Sequence, residues 1–168
     1  AVDYNPISVE AKSFFATVQN KMHFAVHHNT ASEVIYKRVD SKKEFMGLTT
    51  FKGELPTLKE AQIAKNYLTE KELQRLNQLV SGYLDFAERQ AQREVPMTMA
   101  DWIKHIDAIL SATGEAVLQD KGHISHQQMQ AKVLSEYQKY QNQTISPVER
   151  DYLREIRVLD TYVKKGGK

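Results

Sequence analysis

Helix-start signals punctuate this chain at intervals that leave room for little but helices. Thr30 stands three residues before Glu33, Thr57 before Glu60, Thr69 before Glu72, Thr98 before Asp101 and Ser125 before Gln128. In such a pair the hydroxyl accepts a backbone N–H at the third helical position, and the acidic or amide side chain reaches back to the N–H of the cap. Ser146-Pro147-Val148-Glu149 is the clearest signal, with an N-cap serine, proline at the first helical position and glutamate at the third. Ser8 caps a first helix in the same way.

Between these signals apolar residues recur at helical period. The first helix carries one stripe of Ala11, Phe14, Phe15, Val18, Met22, Ala25 and Val26. A second helix runs from Thr30 to about Asp40, and another opens at Thr57. The longest spans Glu70 to about Arg93 and turns Leu73, Leu76, Leu79, Val80, Tyr83, Leu84 and Ala87 inward. Gly82 within it costs roughly 1 kcal/mol relative to alanine and suits a close helix crossing. Trp102, Ile103, Ile106, Ile109 and Leu110 mark the next helix; Gly114 suits a left-handed stop, while Glu115 to Leu118 could also continue it. A helix from Ser125 to about Gln143 presents a glutamine-rich solvated face. A last one carries Tyr152, Leu153, Ile156 and Leu159. Seven glycines and four prolines are too few for a many-turned β architecture. The expected fold is all-α: one domain of about seven helices over 1–163, with a flexible tail at 164–168.

Only 41–56 lacks helical period. It holds Phe45, Met46, Leu48 and Phe51 between Gly47 and Gly53, too apolar to be solvated throughout, so it should pack back on the helices as an irregular loop or small hairpin. The absence of cysteine removes disulfides, thiolate metal sites and cysteine nucleophiles, and fits a reducing cytoplasm. No apolar run approaches a membrane span. The chain begins at Ala1 without a methionine, which reads as a piece of something longer.

The densest chemistry lies between Gln19 and Glu33. Gln19, Asn20, Lys21, His23, His27 and Glu33 border the apolar stripe of the first helix and the start of the second. Polar groups there cost free energy unless paired. They form either an interhelical hydrogen-bonded network or a site. His23 and His27, four apart, could chelate a cation, with Glu33, His105, His123 or His126 as a third ligand, but Phe24 stands where the zinc-protease motif needs glutamate. The expectation is no metal and no cofactor. The lipase, P-loop, dinucleotide, zinc-protease and EF-hand motifs are all absent. Ser125 reads as a helix cap and not as a nucleophile. Lys37, Arg38, Lys42 and Lys43 form the one basic cluster that could meet phosphates, though Asp40 and Glu44 interrupt it. A net charge of +2 gives no wider argument for nucleic acid.

On several blocks in order the chain resembles the C-terminal half of the RhuM family of bacterial virulence proteins. The blocks are Asp3-Tyr4-Asn5-Pro6, Val18-Gln19-Asn20-Lys21-Met22-His23, Thr30-Ala31-Ser32-Glu33, Met46-Gly47-Leu48-Thr49, Ile63-Ala64-Lys65-Asn66-Tyr67-Leu68, Tyr83-Leu84-Asp85-Phe86-Ala87-Glu88, Asp101-Trp102-Ile103 and Ser146-Pro147-Val148-Glu149-Arg150-Asp151. The family usually has Gly-His where this chain has His28-Asn29, and tryptophan at Phe51. The resemblance implies a missing N-terminal DNA-binding-like domain and genomic company with pathogenicity islands and restriction-modification genes, and no activity for this half. The expected function is therefore a cytoplasmic, DNA-associated interaction or oligomerisation domain. It would have a protein partner or self-association, weak or no DNA binding of its own, and no membrane. The competing expectation is an enzyme acting on nucleic acid or nucleotide through the six polar residues above.

Overall fold

A computed structural model describes residues 1–144 and 147–166. Among them are six α-helices and no strand: α1 (Val9–His27), α2 (Ala31–Arg38), α3 (Glu70–Gln92), α4 (Met99–Ala112), α5 (His126–Thr144) and α6 (Pro147–Gly166). The start signals act as the sequence predicts. Ser8 Oγ accepts the Ala11 N–H, and Thr30, Thr69 and Thr98 each form both halves of a capping box. Ser125 and Gln128 exchange the same pair of bonds, which makes Ser125 a cap. The glutamines of α5 are exposed. Ser146, the cap expected for α6, lies outside the described residues.

The Thr57 box forms but does not launch an α-helix. Two short 3-10 turns follow it, Glu60–Gln62 and Ala64–Tyr67. Side chains from further along occupy the carbonyls that a helix would use. Asn66 Nδ2 donates to Glu60 O at 3.0 Å and the Tyr67 hydroxyl to Ala61 O at 2.6 Å. The expected count of about seven becomes six for this reason. At the end of α4 the choice is settled by Gly114, at φ 75°. The Glu115 N–H reaches Leu110 O at 2.9 Å and the Gly114 N–H reaches Ser111 O, so the helix stops in a Schellman motif.

α1 is the centre of the molecule, packed on α3, α4 and α2, while α2 packs on α5 and on the 3-10 turns of the sixties. The core joins Val34, Ile35, Met46, Tyr67, Ile106, Leu110, Met129 and Val133. The 41–56 segment packs back as expected, with Met46 wholly buried and Phe45 ring-to-ring with Phe51 at 4.7 Å. It forms no hairpin. Phe45, Met46 and Gly47 all adopt positive φ, a costly conformation for the first two. The turn persists because the Asp40 N–H holds Met46 O and because Gly47 lies flat against α2. A Cβ on Gly47 would stand 2.3 Å from Arg38 O.

Gly82 proves to be at no close crossing, since a Cβ there would meet nothing within 4 Å. The apolar stripe of α3 is also only partly inward. Leu76 is buried and Leu73, Leu79 and Tyr83 are half-buried, but Val80 and Leu84 are exposed beside α1.

The two glycines should therefore respond in opposite directions. Gly82→Ala should raise the unfolding free energy by about 0.5–1 kcal/mol through helix propensity and a less disordered unfolded chain. Gly47→Ala should lower it by roughly 2 kcal/mol or more, because the new methyl meets backbone and not a movable side chain. Urea denaturation of both variants checks the pair. His28, which ends α1 at φ 59°, a conformation that costs a residue with a Cβ, should gain roughly 0.5–1 kcal/mol on His28→Gly, readable in the same melts.

Candidate functional site

The Gln19–Glu33 run is divided by the fold into an interior set and an edge. The C-terminal half of α1 is enclosed nearly all round: Lys21, Met22, His23, Ala25 and Val26 are buried, and Phe24 and His27 half-buried. Lys21 therefore carries an ammonium into the interior, where it must be paired. Its Nζ donates to Leu118 O at 2.7 Å and contacts Asp107 Oδ1 on α4 at 2.8 Å. Asp107 Oδ1 receives that ion-pair contact and, among the described residues, no other hydrogen bond.

His23 and His27 meet each other. His23 Nδ1 and His27 Nε2 lie 2.9 Å apart, so one donates and the other accepts. With either tautomer His27 Nδ1 has no hydrogen-bond partner among the described residues. Burial lowers His23 to about 4. His27 is also lowered to about 4, by burial first and by His23 second, with Glu72 opposing and Arg38 reinforcing. Both rings are neutral at neutral pH.

Glu33 is buried and spent on its capping box, Oε1 taking the Thr30 N–H at 2.9 Å. Gly122, at φ 79°, packs so close that a Cβ would come within 2.5 Å of Thr30 Cγ2 and 2.8 Å of Glu33 Oε1. Asn20 Oδ1 accepts the Ala31 N–H at 3.0 Å, tying α1 to the start of α2. Gln19 is exposed. With Asn20 it forms one wall of a polar cleft of about 580 Å³, completed by Ser32, Lys121, His123 and His126. Four of the six candidates thus lie in the interior, and two face the cleft. Among the described residues no group of three or more His, Asp or Glu is placed to hold a metal, and His105, His123 and His126 do not join the His23–His27 pair.

The basic cluster is divided too. Arg38 makes a bidentate pair with Glu72, at 2.6 and 2.8 Å, and donates to Tyr67 O at 2.9 Å. The pair clamps the end of α2 to the capping box of α3 and holds Glu72 down at about 2, chiefly through the Arg38 hydrogen bond. Lys37 Nζ donates to Asn29 Oδ1. Lys42 and Lys43 stay exposed.

The residues that complete these pairs were not visible in sequence. Asp107 follows Ile106 without any distinguishing pattern, and the Leu118 carbonyl carries no sequence signal. Lys121 stands far along the chain from Asn20.

A family model, the Virulence protein RhuM family, matches residues 1–147. The chain belongs to the RhuM family. The match takes in α1 to α5 and the first residue of α6, so the RhuM model includes every candidate residue above. Nothing matches the chain among curated proteins or among solved structures.

The buried histidine pair makes stability depend on pH in a defined window. The unfolded chain binds these protons near 6.5 and the folded one only near 4. The stabilisation is complete above the unfolded value and is lost as pH falls toward the folded one. Denaturant melts should lose roughly 2 kcal/mol between neutral pH and about pH 5, after discounting for the solvent that reaches His27. Glu72 adds nothing in this window, because its own contribution fades only below its unfolded value of 4.5. The double variant His23→Gln, His27→Gln should flatten the slope. The Lys21 pair gives an asymmetry. Asp107→Asn should cost about 2–3 kcal/mol by stranding a buried ammonium, and Lys21→Met only about 1, since water can reach Asp107.

Proposed function

We propose that this chain is a helical interaction or oligomerisation domain of a RhuM-family protein, working in the cytoplasm beside DNA without itself reading DNA sequence. One observation carries the reading. α6 is a helix of 20 residues on which every described side chain is exposed. Tyr152, Leu153, Ile156, Leu159, Tyr162 and Val163 are all among the exposed large apolar residues. Such a concentration marks a protein contact. No helix among the described residues is long and apolar enough to cross a membrane, so the stripe is not a span.

The interior of the polar run supports the same reading. Lys21, His23 and Glu33 are buried and partnered within the fold, as structural groups are. With Arg38 paired to Glu72, the basic cluster offers phosphates only the exposed Lys37, Lys42 and Lys43. The fragment should bind duplex DNA weakly, without sequence preference, and lose that binding as salt rises.

The second reading, an enzyme or binder acting on nucleotide or nucleic acid, draws on the polar cleft. There Gln19, Asn20, Lys121, His123 and His126 could meet a phosphorylated ligand.

Light scattering across protein concentrations and nucleotide titration followed by calorimetry separate the two. The interaction reading expects concentration-dependent association that Ile156→Asp with Leu159→Asp removes while the melting curve stays in place. A chain that never associates, yet binds nucleotide in a way that Lys121→Ala abolishes, would falsify it in favour of the cleft.

A further inference from the structure

The molecule leaves two large apolar surfaces uncovered, and they match. The first is the stripe on α6. Tyr152, Ile156, Leu159 and Val163 follow one another at spacings of four, three and four, the pattern with which an amphipathic helix lies in a groove. The second is a groove of about 500 Å³ between α1 and α3, floored by the 3-10 turns of the sixties. Phe14, Phe15, Val18, Ile63, Val80 and Leu84 line it. Phe15 is 54% exposed and Leu84 61%.

Resting on the reading of this chain as an interaction domain, we propose that α6 of one copy docks in the α1/α3 groove of a second copy.

Length agrees. The groove runs from Phe14 to His23 on one wall and from Leu76 to Leu84 on the other, about 12–14 Å at 1.5 Å per residue. The α6 stripe, from Tyr152 to Val163, extends about 16 Å by the same rise.

Charge selects this pairing over the obvious alternative. At 100° per residue, Glu155 and Asp160 flank the stripe about 70° to either side, while Arg150, Arg154 and Arg157 fall on the far face. Two α6 stripes packed on each other would bring acidic edges together, which is unfavourable. The groove offers the opposite sign. Lys65 is the one charged residue among those lining it, and exposed Lys12 lies on the same flank of α1 as Gln19, seven residues on. His23, at its inner end, is neutral for the reason given above.

The α6 helix lies almost wholly beyond the residues matched by the family model, and the groove lies within them.

Two full-chain variants test this, each changing an exposed residue that should leave the fold intact. Leu84→Asp spoils the groove and keeps α6; Leu159→Asp spoils α6 and keeps the groove. Sedimentation should show association for the unaltered chain and at least a tenfold weakening for either variant alone. A mixture of the two should form a one-to-one complex, since one intact groove and one intact α6 remain. Lys12→Glu with Lys65→Glu should weaken association, and Glu155→Lys with Asp160→Lys should restore it. If Leu84→Asp associates as the unaltered chain does while Leu159→Asp does not, α6 pairs elsewhere; the docking is then wrong and the interaction reading stands. An unaltered chain that stays monomeric at every concentration overturns the docking. Failure of the mixture to form a complex overturns it as well.

Discussion

The fold turns on the enclosure of one half-helix. From Lys21 to His27, α1 is covered by α2, α3 and α4, and it takes into the interior a lysine and two histidines as well as Met22, Ala25 and Val26. Each polar group brings a requirement that a different part of the chain meets. The ammonium of Lys21 is answered by Asp107 of α4 and by the Leu118 carbonyl. The histidines answer each other and stay uncharged. A buried charge without its partner is far more costly than an apolar mismatch. The placement of α4 and of the segment after it is thereby tied to α1 in a way that apolar packing alone would leave looser.

The second tie is the Arg38–Glu72 clamp. Glu72 serves two partners at once, the Thr69 cap and the guanidinium of Arg38, and lies close enough to His27 for its charge to oppose the lowering of that ring. The end of α2, the start of α3 and the end of α1 meet around one carboxylate. Unfavourable backbone is tolerated near this junction. His28 ends α1 in the left-handed region, and Phe45 and Met46 share that region beneath Arg38. Such conformations persist where the surroundings over-determine them, and Met46, wholly buried with its carbonyl held by Asp40, is held in that way.

The outside of the molecule is arranged differently. The first turns of α1 and the middle of α3 leave Phe15, Val80 and Leu84 exposed on either side of a groove, and α6 exposes its whole apolar stripe. Neither surface gains from facing water, and charges of opposite sign stand beside the two. The polar cleft on the other flank of α1 shares Gln19 with this groove, so the edge of that one helix borders both surfaces on which a function can be argued.

The amino-acid sequence by itself determined the helices and most of their ends. Caps such as Thr30, Thr69, Thr98 and Ser125 act over three residues, so these local interactions are legible without a fold, whereas the stop at Gly114 was settled only by its φ of 75°. Tertiary structure decided the remainder. The Thr57 box has the same local chemistry as the others, but Asn66 and Tyr67 claim its carbonyls and turn the expected helix into 3-10 turns. Periodicity turned the whole apolar face of α3 inward, yet Val80 and Leu84 stay exposed, because a stripe records only that a residue avoids water and not what it meets. The polar run from Gln19 to Glu33 was visible as a cluster. Its division into buried pairs and a cleft edge depended on Asp107, Leu118 and Lys121, brought from across the chain by packing that no local pattern encodes.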